Sequence, residues 1–197
     1  STPRLRREQV AGMNIHYIMW SLDYFLDAQQ RLGFKTIELW AAEPHVTLDH
    51  TGYFEADELR RKIESRGLSV SSLCPENVVY PWQYAARKPL HAQRSLAYFK
   101  HGIELAEVLG APYMSINSGW GDWDEDREEA WKRSAEHLAI LADYAGEHGV
   151  TLCMESLRPE ESNLVVTLAD ARRMLDQVAS PHLTPMVDTT AMGVAGE

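Results

Sequence analysis

Short apolar runs alternate with longer stretches of helical periodicity along the whole chain. Leu22, Phe25, Leu26 and Leu32 fall on one face of a helix that Ser21 can cap and Gly33 can end, and residues 36–40 follow as a strand. The same order then recurs. A helix over residues 56–66 stops at Gly67 before a strand over 68–74, and a helix over 90–109 stops at Gly110 before a strand over 113–117. A helix over 127–148 stops at Gly149 before the run 150–154, and a helix over 167–178 stops at Ser180-Pro181 before the run 183–187. With residues 13–18 as an opening strand, the pattern predicts alternating strands and helices, and hence a parallel sheet.

A parallel sheet can be open and doubly wound or closed as a barrel. No strand leads into G-x-G-x-x-G; the nearest approach, Gly119-Trp120-Gly121, has Asp124 where the third glycine would stand. The loops leaving the strands are instead long and rich in polar and aromatic residues, as on the active face of a (β/α)8 TIM barrel. Such a barrel has eight strands and about 250 residues. The 197 residues supply about six βα units, so one incomplete barrel domain over residues 1–197 is expected, cut short at its C-terminal end, where residues 191–197 read as a βα loop cut midway. The edges of an unfinished barrel would be covered by a homo-oligomer or by further chain.

Two of the apolar runs end on an acid. Residues 150–154 stop at Glu155, and 33 residues later the run 183–187 stops at Asp188. Acids delivered twice at strand tips in consecutive units suit a shared catalytic or metal-binding mouth. His45, Glu76, Asn77 and Asn117 sit at or just past other strand tips, where they either line that mouth or hold its loops. Glu38, inside a strand, is placed as a polar contact in the barrel interior. Five of the six tryptophans fall near strand exits, and Trp120 is the first choice to cover the apolar face of a sugar.

Charge and cysteine content narrow the partners. A formal charge of −10 works against nucleic-acid binding. The two cysteines, Cys74 and Cys153, lie inside apolar runs and read as buried free thiols, which fits a cytoplasmic protein. There is no secretory leader pattern and no apolar stretch long enough for a membrane span. The acidic stretch at residues 122–129 suits the N-terminus of the following helix.

The segments LCMESLRPEESN (152–163), SPHLTPMVDTTA (180–191), IELWAAEPH (37–45) and CPENVVYPW (74–82) together resemble the xylose-isomerase-like barrel superfamily of sugar epimerases and isomerases. The likeness is strongest to the fructoselysine 3-epimerase group, with tagatose and psicose 3-epimerases more distant. It implies one divalent metal held by Glu, Asp, His and Glu at four successive strand ends; Glu155 and Asp188 match the first two, and the others would lie beyond Glu197. It also implies a substrate-contacting Glu six residues past the first ligand, which matches Glu161. Tagatose-type members carry His three residues past the metal Asp, where this chain has Ala191, which favours the fructoselysine-like branch.

The implied chemistry is epimerisation of a ketose or ketose derivative through an enediolate, with Glu155 as acid/base. A cation polarises the carbonyl, and a carboxylate moves the proton. Oxygen ligands favour Mn²⁺ or Mg²⁺, and an added imidazole admits Co²⁺ or Zn²⁺. Two other readings stand beside this one. An endonuclease-IV-like nuclease shares the barrel but needs several zinc-binding histidines and a positive groove. A non-catalytic sugar-binding or partner-binding module is the reading if the chain is complete at 197 residues.

Overall fold

Each helix carries the chain back across one face of a sheet, so that successive long strands run parallel. The structure, a computed structural model, describes residues 4–78 and 81–197. In chain order the elements are β1 (Gly12–Met13), α1 (Leu22–Leu32), β2 (Thr36–Ala41), β3 (Leu48–Asp49), β4 (Gly52–Tyr53), α2 (Ala56–Glu64) and β5 (Ser69–Pro75). There follow α3 (Pro89–Val108), β6 (Tyr113–Ile116), α4 (Arg127–Glu147), β7 (Thr151–Glu155), α5 (Leu168–Val178), β8 (Leu183–Met186) and α6 (Thr189–Ala195). The main sheet has the order β1-β2-β5-β6-β7-β8, and every pairing in it is parallel. The expected succession of βα units is therefore present.

Strand side chains alternate between two faces. Ile37, Leu39, Leu73, Met114, Ile116, Leu152 and Met154 are fully buried in one core with Phe25, Phe99, Ile103, Trp131 and Leu138 of the helices. The alternate positions make the inner face of the barrel, where polar residues stand among thiols and an aromatic ring. Register aligns Glu38 with Ser72, Trp40 with Cys74, and Ser115 with Cys153 across neighbouring strands. An extra residue in β5 between Val70 and Ser72 keeps this alternation in step, with the Ser71 hydroxyl donating to the Ile37 carbonyl at 3.0 Å.

Three local expectations are corrected. The opening strand over residues 13–18 is only β1, and Asn14–Tyr17 form a 3-10 turn. Asn14 causes the departure. Its buried amide accepts from the Trp40 N–H at 2.7 Å and donates to the Trp40 carbonyl at 3.0 Å, so a side chain takes over the pairing that a strand would make. The loop after β2 contains a hairpin, β3–β4, whose turn is held by Asp49 Oδ1 accepting from the Thr51 and Gly52 N–H groups at 2.6 and 3.2 Å. Residues 191–197, expected as loop, lie largely in α6, which Asp188 caps and which ends at Gly196 in the left-handed region, φ 78°.

Side-chain caps also start three other helices. Ser21, Asp126 and Thr167 accept backbone N–H groups at the starts of α1, α4 and α5. No helix among the described residues is long and apolar enough to cross a membrane.

Candidate functional site

The acids gather at the C-terminal ends of β7 and β8. Glu155 is the last residue of β7, on the inner face opposite Met186. Burial pushes its carboxyl up to about 7, and the charges of Asp188, Glu38 and Glu161 add to that effect in this order. Asp188 stands two residues past β8, where its Oδ1 accepts the Thr190 N–H at 2.7 Å. Glu38 lies within β2 on the same inner face; burial raises its carboxyl as well, and it has no hydrogen bond among the described residues.

Glu161 is positioned by a pair of interlocked loops. In the loop after β6, Gly119 has φ 66°, and a Cβ there would meet Gln83 Oε1 at 2.8 Å, so only glycine lets the chain turn against Gln83. Its carbonyl accepts the Ser162 hydroxyl at 2.7 Å. Asn163 adds a reciprocal pair with the Gly121 backbone at 2.9 and 2.8 Å. On this frame, Arg158 donates to Glu161 from its backbone N–H, Nε and Nη2 at 3.1, 3.1 and 2.6 Å, and holds that carboxyl below its ordinary range. Glu161 is thus the member of the group with a cationic partner in contact.

The remaining candidates brace the loops of the mouth. Asn117 is buried; its Nδ2 donates to the Asn77 carbonyl and side-chain oxygen at 3.0 and 2.5 Å, and its Oδ1 accepts the Gly119 N–H at 2.7 Å. Glu76 accepts from Trp40 Nε1 at 2.9 Å and from the Val78 N–H at 3.0 Å. His45 lies between Asn14 Nδ2, at 2.9 Å from Nδ1, and the Trp20 carbonyl, at 2.8 Å from Nε2, which makes Nε2 the donor and Nδ1 the acceptor. The Trp120 carbonyl and N–H are both bonded to the Gln83 amide, and Trp120 borders two cavities. One cavity reaches Glu161; the other, of about 630 Å³, extends to Trp82 and His50. Neither Glu155 nor Asp188 lines the larger one.

The inner face carries the two free thiols beneath the acids. Both are free, as the sequence suggested, though half-buried rather than fully buried; burial pushes Cys74 up to about 12 and Cys153 up to about 11, so both are protonated. No group of three or more His, Cys, Asp or Glu side chains converges on a metal-sized site among the described residues. Glu155 and Asp188 are both oxygen donors of the kind a hard cation takes. Asp188 is the largest charge acting on Glu155, and the resulting repulsion is what a hard divalent cation would relieve.

A model of the xylose isomerase-like TIM barrel family matches residues 26–197. The chain belongs to that family. Among curated members it is 30% identical over 173 residues to the fructoselysine 3-epimerase of Shigella flexneri, covering 88% of this chain and 62% of that protein. It is 24% identical to the D-psicose 3-epimerase of Enterocloster bolteae, over 97% of this chain and 66% of that one. The chain thus spans just under two thirds of the length of these relatives. Solved barrels share the fold: D-allulose 3-epimerase of Methylomonas superposes with TM-score 0.78 at 19% identity, over 96% of this chain and 66% of that one. The 3-keto-D-glucoside 4-epimerase of E. coli gives 0.76 at 17% identity, over 93% and 69%.

Sequence reasoning missed two features of this family member's mouth. The β3–β4 hairpin, which brings His50 to the larger cavity, was foreshadowed by the turn-forming Asp49-His50-Thr51-Gly52. The cationic rim of that cavity was foreshadowed by Arg87, His91 and Arg94, whose i, i+4, i+7 spacing places them on one side of the chain entering α3.

Proposed function

We propose that the chain carries the acid/base centre of a divalent-metal-dependent epimerase that acts on a ketose or ketose derivative. One observation carries the reading: a carboxyl at a barrel strand tip, Glu155, is pushed up to about 7 by burial and by the neighbouring Asp188. A carboxyl in that range can both take and return a proton near neutral pH. The names of the relatives, which are sugar 3-epimerases, support the same reading.

In the proposed reaction, Glu155 removes the proton from the carbon beside the substrate carbonyl, and the bond electrons move into the carbonyl oxygen to give an enediolate. A second acid on the opposite face, which would come from the part of the relatives' length that this chain does not span, donates a proton there and inverts that carbon, while Glu155 passes the proton it took to solvent. Glu155 and Asp188 would contribute two oxygen ligands to one divalent cation, Mn²⁺ or Mg²⁺ by ligand preference. Bound there, the cation would supply stabilisation of the charge developing on the carbonyl oxygen. Glu161, held ionised by Arg158, would accept hydrogen bonds from sugar hydroxyls. Trp120 offers its ring to an apolar sugar face.

Incubation of the full-length protein with ketoses and divalent metal in deuterium oxide tests this. Label should enter at the carbon next to the carbonyl, and Glu155→Gln should reduce the rate by at least about 100-fold. Absence of uptake from any ketose in the metal-loaded protein would refute it.

A further inference from the structure

The cavity of about 630 Å³ beside Trp120 is charged in the opposite sense to the chain around it. Arg87, Lys88, His91 and Arg94 line it with a single acid, Asp122, in a protein whose formal charge is −10. Lys88, His91 and Arg94 make no side-chain hydrogen bond or ion pair among the described residues. Arg87 has only long contacts to Asp122, Asp124 and Glu125, at 3.8 to 3.9 Å, and Glu125 is already held by Arg133 Nη2 at 2.7 Å.

The backbone adds to this charge. Lys88 stands at the start of the 20-residue α3, which has no side-chain cap and no acid in its first turn. By contrast, α1, α2, α4 and α5 each carry an acid there. The partial positive charge of the α3 N-terminus is thus left uncompensated by its own first turn, and the four basic side chains are grouped with it at one cavity.

The rest of the wall suits a flat ring. Trp82 lines the cavity and stacks on the buried Tyr98 at 4.2 Å and 11°, so the aromatic surface it presents is backed by a second ring. The His50 ring lies 5.6 Å from that of Trp82. Its Nδ1 is buried without a hydrogen-bond partner among the described residues, although buried polar atoms ordinarily find one. None of Glu155, Asp188 and Glu161 lines the cavity.

We propose that this cavity is a binding site, used without the acids of β7 and β8, for a planar ring joined to an anionic group. Such a ligand is a nucleoside monophosphate where the anion is a phosphate, and an aromatic carboxylic acid where it is a carboxylate. Lys88 and Arg94 pair with the anion, His50 Nδ1 donates one directed hydrogen bond to it, and the ring packs on Trp82. A volume of about 630 Å³ lies within the range of small-molecule sites. The assignment goes beyond the ketose reading and does not depend on it.

The test is calorimetric binding to the full-length protein of adenosine monophosphate, uridine monophosphate, indole acetate, adenosine and inorganic phosphate, at low and high sodium chloride. At least one of the three anionic ring compounds should bind about tenfold or more tightly than adenosine and phosphate, and the advantage should shrink in high salt. Preference for a nucleotide or for indole acetate identifies which anion the cavity takes. The double variant Lys88→Gln/Arg94→Gln, which changes two exposed positions, should remove the advantage, and Glu155→Gln should leave it unchanged. Phosphate or adenosine binding as tightly as every anionic ring compound would overturn the proposal, as would an advantage indifferent to salt in the wild type or lost in Glu155→Gln. The salt comparison in the wild type keeps the outcome decisive if the double variant does not fold. No arm of the test depends on ketose turnover, so failure here and failure of the ketose reading are distinguishable.

Discussion

Glu155 and Asn14 show how single side chains set this structure. A carboxyl raised in the folded state binds its proton more tightly than in the unfolded chain, where it titrates near 4.5. Between that value and about 7 the folded state holds more protons than the unfolded state, so stability falls as pH rises through this window. In chelator, denaturant unfolding should show the protein roughly 1 to 3 kcal/mol less stable at pH 8 than at pH 5 on account of this residue, with the figure reduced by any water reaching it. Glu155→Gln should flatten that part of the pH profile; an unchanged profile would show that Glu155 is not the group responsible.

Asn14 is a structural counterpart. Removing its amide leaves the Trp40 N–H and carbonyl and His45 Nδ1 without their partner. Asn14→Ala should cost about 2 to 4 kcal/mol in the same assay. The acid at the tip of β7 could be read from the sequence because an apolar run ended on it. The role of Asn14 could not, since nothing local announces that a side chain 26 residues from Trp40 will replace strand pairing.

At the scale of elements, helix ends and strand cores were the legible part. Glycines 33, 67, 110 and 149 lie in the left-handed region between a helix and the next strand, and α1 begins at the anticipated Ser21 cap. The β3–β4 hairpin was less visible, because strands of two residues carry no periodicity. One helix end breaks the pattern: α5 ends on Ala179 at φ 51°, where glycine is favoured. Ala179→Gly should therefore raise stability by about 0.5 to 1 kcal/mol, an unusual sign for such a change, and a loss on thermal unfolding would contradict the backbone argument. In α4, Gly146 behaves in the opposite way. A Cβ there would meet the His182 ring at 2.4 Å, so Gly146→Ala should destabilise despite the better helix propensity of alanine.

The whole molecule is a sheet with an apolar face against helices and a polar inner face that ends in acids. That division explains why the family could be recognised from short segments: the acid-tipped strands and the loops after them carry the chemistry, and the helices carry only periodicity. The cationic cavity escaped the sequence reading because its groups come from the β3–β4 hairpin, the loop after β5 and α3, segments brought together by folding. The central claim is that Glu155 moves a proton on a carbon beside a ketose carbonyl. The most direct measurement is deuterium incorporation at that carbon by the full-length, metal-loaded protein and by Glu155→Gln. The account predicts uptake in the first and a loss of at least about 100-fold in the second; uptake that persists undiminished in Glu155→Gln would contradict it.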